Sequence, residues 1–233
     1  MEECTKCDKD GYIYELRQVE GYSYPLEFSK ICPCGKHARL NFNNKLNRLG
    51  LGEDFKTKTF ATYIAKSPEL KGIKEKCLEY ATNFAKRQFE AKNGLYLYGS
   101  VGSGKTHLIT AISNRLLQNG VNVEYFEYRE RMTRLKQIIT DNTKYAKEIN
   151  CKKAKVLFID DLFKGKISEA DINIMYEIIN YRYQTHLPTL ITSEKTVSEI
   201  LNIDEAIGSR IVEMSYLIKV NASNHRMNIK KGS

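Results

Sequence analysis

Eight consecutive residues, Gly99-Ser100-Val101-Gly102-Ser103-Gly104-Lys105-Thr106, constrain this chain more than any other feature. They fit the pattern G-x-x-x-x-G-K-[ST] in full. The apolar run LYLY (95–98) precedes them, and a helix-forming stretch over Thr106–Gln118, closed by Asn119-Gly120, follows. A strand that turns through glycines into a helix N-terminus leaves backbone N–H groups pointing inward, where they suit phosphate oxygens. Lys105 is then placed for the β- and γ-phosphates of ATP, and the Thr106 hydroxyl for Mg²⁺. His107 follows directly and is counted with the loop.

A second half of the same site lies 55 residues after Lys105, in VLFIDD. Four apolar residues end in Asp160 and Asp161 at the edge of an expected strand. Asp160 is placed to hold Mg²⁺, directly or through water. Asp161 is placed to orient or deprotonate the attacking water. Many such enzymes carry Glu there, and Asp is one methylene shorter. A polar γ-phosphate sensor is expected at the end of PTLITSE, with Thr192, Ser193 and Glu194 as the options. Arg210, in EAIGSRIVEM, is a candidate to reach the γ-phosphate of a neighbouring subunit. Arg226, in SNHRMN, is a candidate to contact nucleotide in cis.

Around these motifs the pattern alternates. VNVEYFEY (121–128), KVLFID (155–160), PTLITS (188–193) and YLIKV (216–220) read as strands. Leu70–Glu90, Arg129–Asn150, Ser168–Tyr183 (with Ser168 as N-cap) and Asp204–Met214 read as helices. Near-continuous apolar strands alternating with helices imply an α/β fold with a parallel sheet covered on both faces. The chain has 233 residues, 42% of them apolar, and residues 56–233 alone can bury a sizeable core. No apolar run approaches the roughly 18 residues of a membrane span, and the polar MEECTKCDKD has no signal-peptide stretch. Collagen-like, coiled-coil-only, secreted disulfide and membrane classes are therefore excluded, and a cytoplasmic location is expected.

Four of the six cysteines crowd the first 34 residues. Without a secretory signal, clustered cysteines point to metal rather than disulfides. Cys4-x2-Cys7 and Cys32-x-Cys34 form two knuckles that suit tetrahedral Zn²⁺, with Cys34 or His37 as the fourth ligand. A module of about 40 residues has too little core to fold unaided, so metal is expected to stabilise it. Residues 1–40 are thus read as a zinc-binding module, 41–68 as a linker and 69–233 as the ATPase domain. Cys77 reads as core, and Cys151 carries no assignment.

The charge is uneven. Residues 1–55 carry net −1 and residues 56–233 net +10. Residues 129–155 alone carry +6, with Tyr128 and Tyr145 among the cations. This composition suits single-stranded DNA, through phosphate contacts and base stacking; a solvated lysine-rich face is the alternative.

Taken together, GSVGSGKTH, KVLFIDDLFKGK, PTLITSE, EAIGSRIVEM and the late NHR resemble the AAA+ ATPases of the DnaC/DnaI helicase-loader and IstB-like group, especially those of Firmicutes and their phages. The resemblance implies a five-stranded sheet of order 5-1-4-3-2 without a C-terminal helical lid. It also implies slow ATP hydrolysis, ATP-dependent self-assembly, single-stranded DNA binding and delivery of a replicative ring helicase. By position, Arg210 looks like the arginine finger and Ser193 like part of the sensor segment. The family commonly has Thr-Ser-Asn where this chain has Thr192-Ser193-Glu194. Loaders of the DnaI type carry an N-terminal zinc domain that docks on the helicase, which the cysteine module resembles. An IstB-like transposition regulator is the rival within the fold; the zinc module and LFKGK favour the loader. A metabolic P-loop kinase would need a phosphoacceptor site and a lid, and neither is visible in the sequence.

Overall fold

The computed structural model of the chain describes residues 4–48 and 52–221. Its centre is a parallel sheet of five strands: β3 (Gly94–Tyr98), β4 (Val123–Glu127), β5 (Val156–Asp160), β6 (Thr189–Ser193) and β7 (Ser215–Lys219). They lie in the order β4-β5-β6-β3-β7. Renumbered from β3 as the first core strand, this is the 5-1-4-3-2 order implied by the resemblance.

Successive side chains of a strand point to opposite faces, so both faces must be apolar when both are covered. On one face Leu95, Leu97, Tyr125, Val156 and Phe158 pack under α3 (Pro68–Thr82) and α5 (Lys105–Gln118). On the other, Tyr96, Phe126, Leu157, Ile159 and Ile191 pack under α6 (Tyr128–Gln137), α8 (Glu169–Gln184), α9 (Val197–Ile203) and α10 (Glu205–Met214). Local chemistry sets the helix starts. Ser67 caps α3 ahead of Pro68, Ser168 and Asp171 form a capping box on α8, and Asp204 accepts from Ile207 N to start α10.

Two expected helices are broken. Arg129–Asn150 divides into α6 and α7 (Asn142–Ile149), because Asp141 accepts from Lys144 N and restarts the chain as an N-cap. Leu70–Glu90 divides at Asn83 into α3 and the short α4 (Phe84–Arg87).

Residues 41–68, read from sequence as a linker, are structured over their described part. They hold the end of α1 (Lys36–Arg48), then α2 (Gly52–Thr57) and a turn leading to Ser67. Phe42, Phe55 and Tyr63 are buried in the core, with Phe55 edge-on to Tyr125 at 4.9 Å between ring centroids. Large aromatic rings gain most by leaving water, which draws the segment onto the sheet. Ahead of it, β1 (Tyr12–Arg17) and β2 (Leu26–Ile31) form an antiparallel hairpin. Gly35 sits against the turn after α5: a Cβ there would meet Leu117 O at 2.3 Å.

Among the described residues, Arg182 of α8 is the most deeply enclosed charged side chain. It is fully buried, and Nε donates to Thr189 Oγ1 at 2.9 Å. Its terminal nitrogens donate to the carbonyls of Lys152, Ala154 and Pro188 at 2.6–2.8 Å. Burial pulls the guanidinium down to about 9.

Candidate functional site

The C-terminal ends of β3, β5 and β6 lie side by side, with Tyr98 beside Ser193. This is the edge where open α/β sheets bind ligands. The loop Gly99–Gly104 leaves β3 there and enters α5 at Lys105. Gly99 and Gly104 are the positions that need glycine. Their φ angles are 145° and 92°, and a Cβ would meet Val220 O at 2.3 Å and the Tyr63 ring at 2.9 Å respectively. Lys105 is buried, and its Nζ donates to Gly99 O at 2.8 Å and Ser100 O at 2.7 Å. The ammonium is thus held against the loop that is to receive phosphate.

Thr106 Oγ1 donates to Asp160 Oδ1 at 2.9 Å, and Thr192 Oγ1 donates to the same oxygen at 2.5 Å. Tyr125 OH donates to Asp160 Oδ2 at 3.1 Å. Burial raises the Asp160 carboxyl, and the three hydroxyls oppose that shift. A hydroxyl and a carboxylate oxygen already paired across the loop are the hard donors that Mg²⁺ takes, so the residues present fit that ion.

After Asp160 the chain makes a strained turn. Asp161 (φ 57°) and Phe163 (φ 58°) are both left-handed, at a cost of about 1–3 kcal/mol each. The end of β6 holds this turn in place. Thr192 Oγ1 accepts from Asp161 N, Thr192 O from Leu162 N, and Ser193 Oγ donates to Leu162 O at 2.7 Å. Ser193 therefore does not present its hydroxyl to the phosphate site: it is buried and spent on the turn. Of the three sensor candidates, Thr192 touches Asp160 and Glu194 lines the cavity.

The cavity measures about 630 Å³, within the range of about 300–1,000 Å³ for small-molecule sites. One wall is the phosphate loop with Thr106, Asp161 and Glu194. The opposite wall is the 58–70 segment, including Tyr63 and Ile64. His107 belongs to both walls, because Nε2 lies 2.9 Å from Thr59 O and its ring sits edge-on to Tyr63. Sequence reasoning missed Tyr63, Ile64, Tyr125 and Lys164. The concentration of aromatics at Phe55, Phe60 and Tyr63 was the available signal that this stretch is no free linker. Val101, Gly102 and Ser103 also line the cavity.

Arg210 does not line it. On α10, its Nε donates to Asn180 Oδ1 at 2.9 Å, and the guanidinium lies 5.2 Å from the Tyr176 ring centroid and 5.6 Å from that of Tyr183. It is half-buried and packs from α10 onto α8. Arg226 lies outside the described residues, as does any lid after Asn221.

The four N-terminal cysteines converge. The Sγ atoms of Cys4, Cys7, Cys32 and Cys34 all lie within 4.8 Å of one another, with Cys4–Cys32 at 3.9 Å and Cys7–Cys34 at 3.7 Å. A Zn–S bond of about 2.3 Å implies tetrahedral S–S edges of about 3.8 Å, so the set fits zinc. The His37 ring is engaged elsewhere, with Nδ1 3.1 Å from Asp10 O and Nε2 2.9 Å from Asn41 Nδ2. The backbone N–H of Lys6 lowers the Cys4 thiol to about 7. Cys77 and Cys151 are buried, and burial raises both thiols.

The basic stretch is less available than its count suggests. Arg131 pairs with Glu124 and Glu148, Lys136 with Asp171, Lys144 with Asp141, and Lys152 with Glu177. Arg134 also reaches Glu148, at 3.5 Å. Among the described residues, Arg129, Lys147, Lys153 and Lys155 make no ion pair. No helix among the described residues is long and apolar enough to cross a membrane.

Comparison with known proteins agrees with this geometry. The family model of the bacterial DnaA ATPase domain matches residues 56–217. The uncharacterized protein YqaM of Bacillus subtilis is 37% identical over 215 residues, covering 88% of this chain and 67% of YqaM. The phage-like element PBSX protein XkdC of the same organism is 33% identical, covering 97% and 85%. A crystal structure of the DnaC helicase loader superimposes with TM-score 0.63 at 24% identity, over 72% of this chain and 99% of that one. A crystal structure of DnaI gives 0.57 at 27% identity, over 72% and 90%.

Proposed function

This chain belongs to the AAA+ ATPases of the DnaC/DnaI helicase-loader family, of the Firmicute and phage type, and from that premise we propose that it loads a replicative ring helicase onto DNA in an ATP-dependent manner. Its ATPase domain serves replication initiation. The observation that carries the finer reading is the joining of two devices: a complete phosphate site and a four-cysteine hairpin fixed to the turn after α5.

In this reading Lys105 neutralises the β- and γ-phosphates, and Thr106 with Asp160 holds Mg²⁺, which supplies charge neutralisation there. Tyr125 and Thr192 fix the Asp160 carboxylate. Asp161 takes the proton of the attacking water. The aromatic wall at Tyr63 faces the base and ribose. Arg210 serves a neighbouring subunit's nucleotide, so assembly and hydrolysis are linked. Arg129, Lys147, Lys153 and Lys155 contact the backbone of single-stranded DNA. Zinc bound by Cys4, Cys7, Cys32 and Cys34 rigidifies the hairpin, whose one face exposes Tyr14, Leu16 and Ile31. That apolar face docks on the helicase. The protein works in the bacterial cytoplasm.

The test uses full-length chain purified under reducing, chelator-free conditions. It is expected to carry one zinc per chain and to capture the purified replicative helicase of a Firmicute host. Cys7→Ser is expected to release the metal and lose capture while keeping ATP binding. A metal-free wild type, or capture undiminished by Cys7→Ser, contradicts the docking role.

A further inference from the structure

The LFKGK segment returns a lysine to the nucleotide cavity. Positive φ angles at Asp161, Phe163 and Gly165 fold the turn back on itself, and the buried Phe163 ring, edge-on to Tyr128 at 5.7 Å, pins it. Lys164 is thereby aimed at the site. Its Nζ lies 2.7 Å from Asp161 Oδ2 and 3.1 Å from Glu194 Oε1, and all three residues line the cavity with Lys105 and Thr106. A strained turn that spends free energy to place a cation beside the phosphate loop has a purpose beyond a surface ion pair.

We propose that Lys164 reads the γ-phosphate in cis, exchanging its ion pair with Asp161 for the terminal phosphate and so distinguishing ATP from ADP. This rests on the reading of the cavity as an ATP site and deepens it.

The charges give the reason. Without nucleotide, Lys58, Lys66, Lys105 and Lys164 share the cavity lining with Glu69, Asp161 and Glu194, so the positive charge is nearly matched. While Lys164 holds Oδ2, Asp161 is a poor acceptor for a water proton. A γ-phosphate brings more negative charge than either carboxylate and attracts the flexible ammonium. Asp161 is then released at the moment a substrate is present. The water oxygen bonds to the γ-phosphorus, the bond to the β–γ bridging oxygen breaks, and ADP leaves with that electron pair. Asp161 takes the water proton. ADP alone reaches no γ position, so Lys164 stays on Asp161. Glu194, which stands where the family commonly has Asn, acquires a role: it is the second anchor that parks Lys164 when no γ-phosphate is bound.

Binding of Mg-ADP and of Mg-AMPPCP, a triphosphate that is not hydrolysed, to full-length protein tests this. Wild type is expected to favour the triphosphate. Lys164→Ala and Lys164→Gln are each expected to reduce that preference by about tenfold or more, and to slow ATP hydrolysis. Their ADP affinity is expected to stay within about twofold, which also reports an intact fold. Lys164→Arg should keep most of the preference. An unchanged preference in both neutral variants, or equal losses for the two nucleotides, overturns the assignment to Lys164. Failure of the wild type to bind either nucleotide overturns the reading of the cavity as well.

Discussion

Arg210→Ala is expected to keep Mg-ATP binding and to lose about 10³-fold in hydrolysis per subunit. The γ-phosphate needs positive charge in the transition state, and in the proposed assembly Arg210 of a neighbouring subunit would provide it. Arg210 does not line its own cavity, and its guanidinium is held between α10 and α8. In the proposed role it would have to leave Asn180, the Ala206 carbonyl and two tyrosine rings to reach a neighbour, and slow hydrolysis is the expected result. Wild-type hydrolysis per subunit should therefore rise with protein concentration. Mixing Arg210→Ala with Lys105→Ala should restore activity, because each partner supplies what the other lacks. A mixture that stays inactive while both variants associate rules out a finger in trans.

Arg182→Met is expected to destabilise the chain by about 3–5 kcal/mol, with urea or thermal unfolding as the readout. The substitution removes the donors to the Lys152 and Ala154 carbonyls and to Thr189 Oγ1, while Pro188 O keeps the Leu157 N–H. Each such orphan costs about 1–3 kcal/mol, against a total stability of about 5–15 kcal/mol for an ordinary domain. Arg182→Lys keeps the charge but cannot reproduce the planar fork of donors, so it should fall between. A loss below about 1 kcal/mol for Arg182→Met would show that the α8–β6 junction tolerates those groups unpaired.

What could be read ahead of the structure was local. The phosphate loop is eight adjacent residues whose strand and helix flank it directly, and the Asp160-Asp161 pair ends an apolar run. The structure places both at the C-terminal edge of the sheet, because their geometry is set within a few residues. The four cysteines were legible for the same reason, as two tight knuckles, although only the structure showed that His37 turns to Asp10 and Asn41. Ser193 was misplaced because its task depends on a neighbouring strand: β6 lies beside β5, and the Ser193 hydroxyl meets the turn that follows β5. Tyr125 and Lys164 escaped notice because strand order and left-handed φ angles bring them to Asp160 and Asp161. The charge of residues 129–155 overstated its availability, since Glu148 and Glu177 are near only after folding.

In the proposed function this ATPase places a ring helicase on DNA. The most direct measurement is unwinding of an oligonucleotide annealed to circular single-stranded DNA, which has no end for a closed ring to thread. Helicase alone is expected to unwind it poorly; helicase with this chain and Mg-ATP is expected to unwind it well. Cys7→Ser and Lys105→Ala proteins should each fail to stimulate, and stimulation should weaken with salt as phosphate contacts are screened. Unwinding that is indifferent to this chain, or stimulated equally by both variants, contradicts the account.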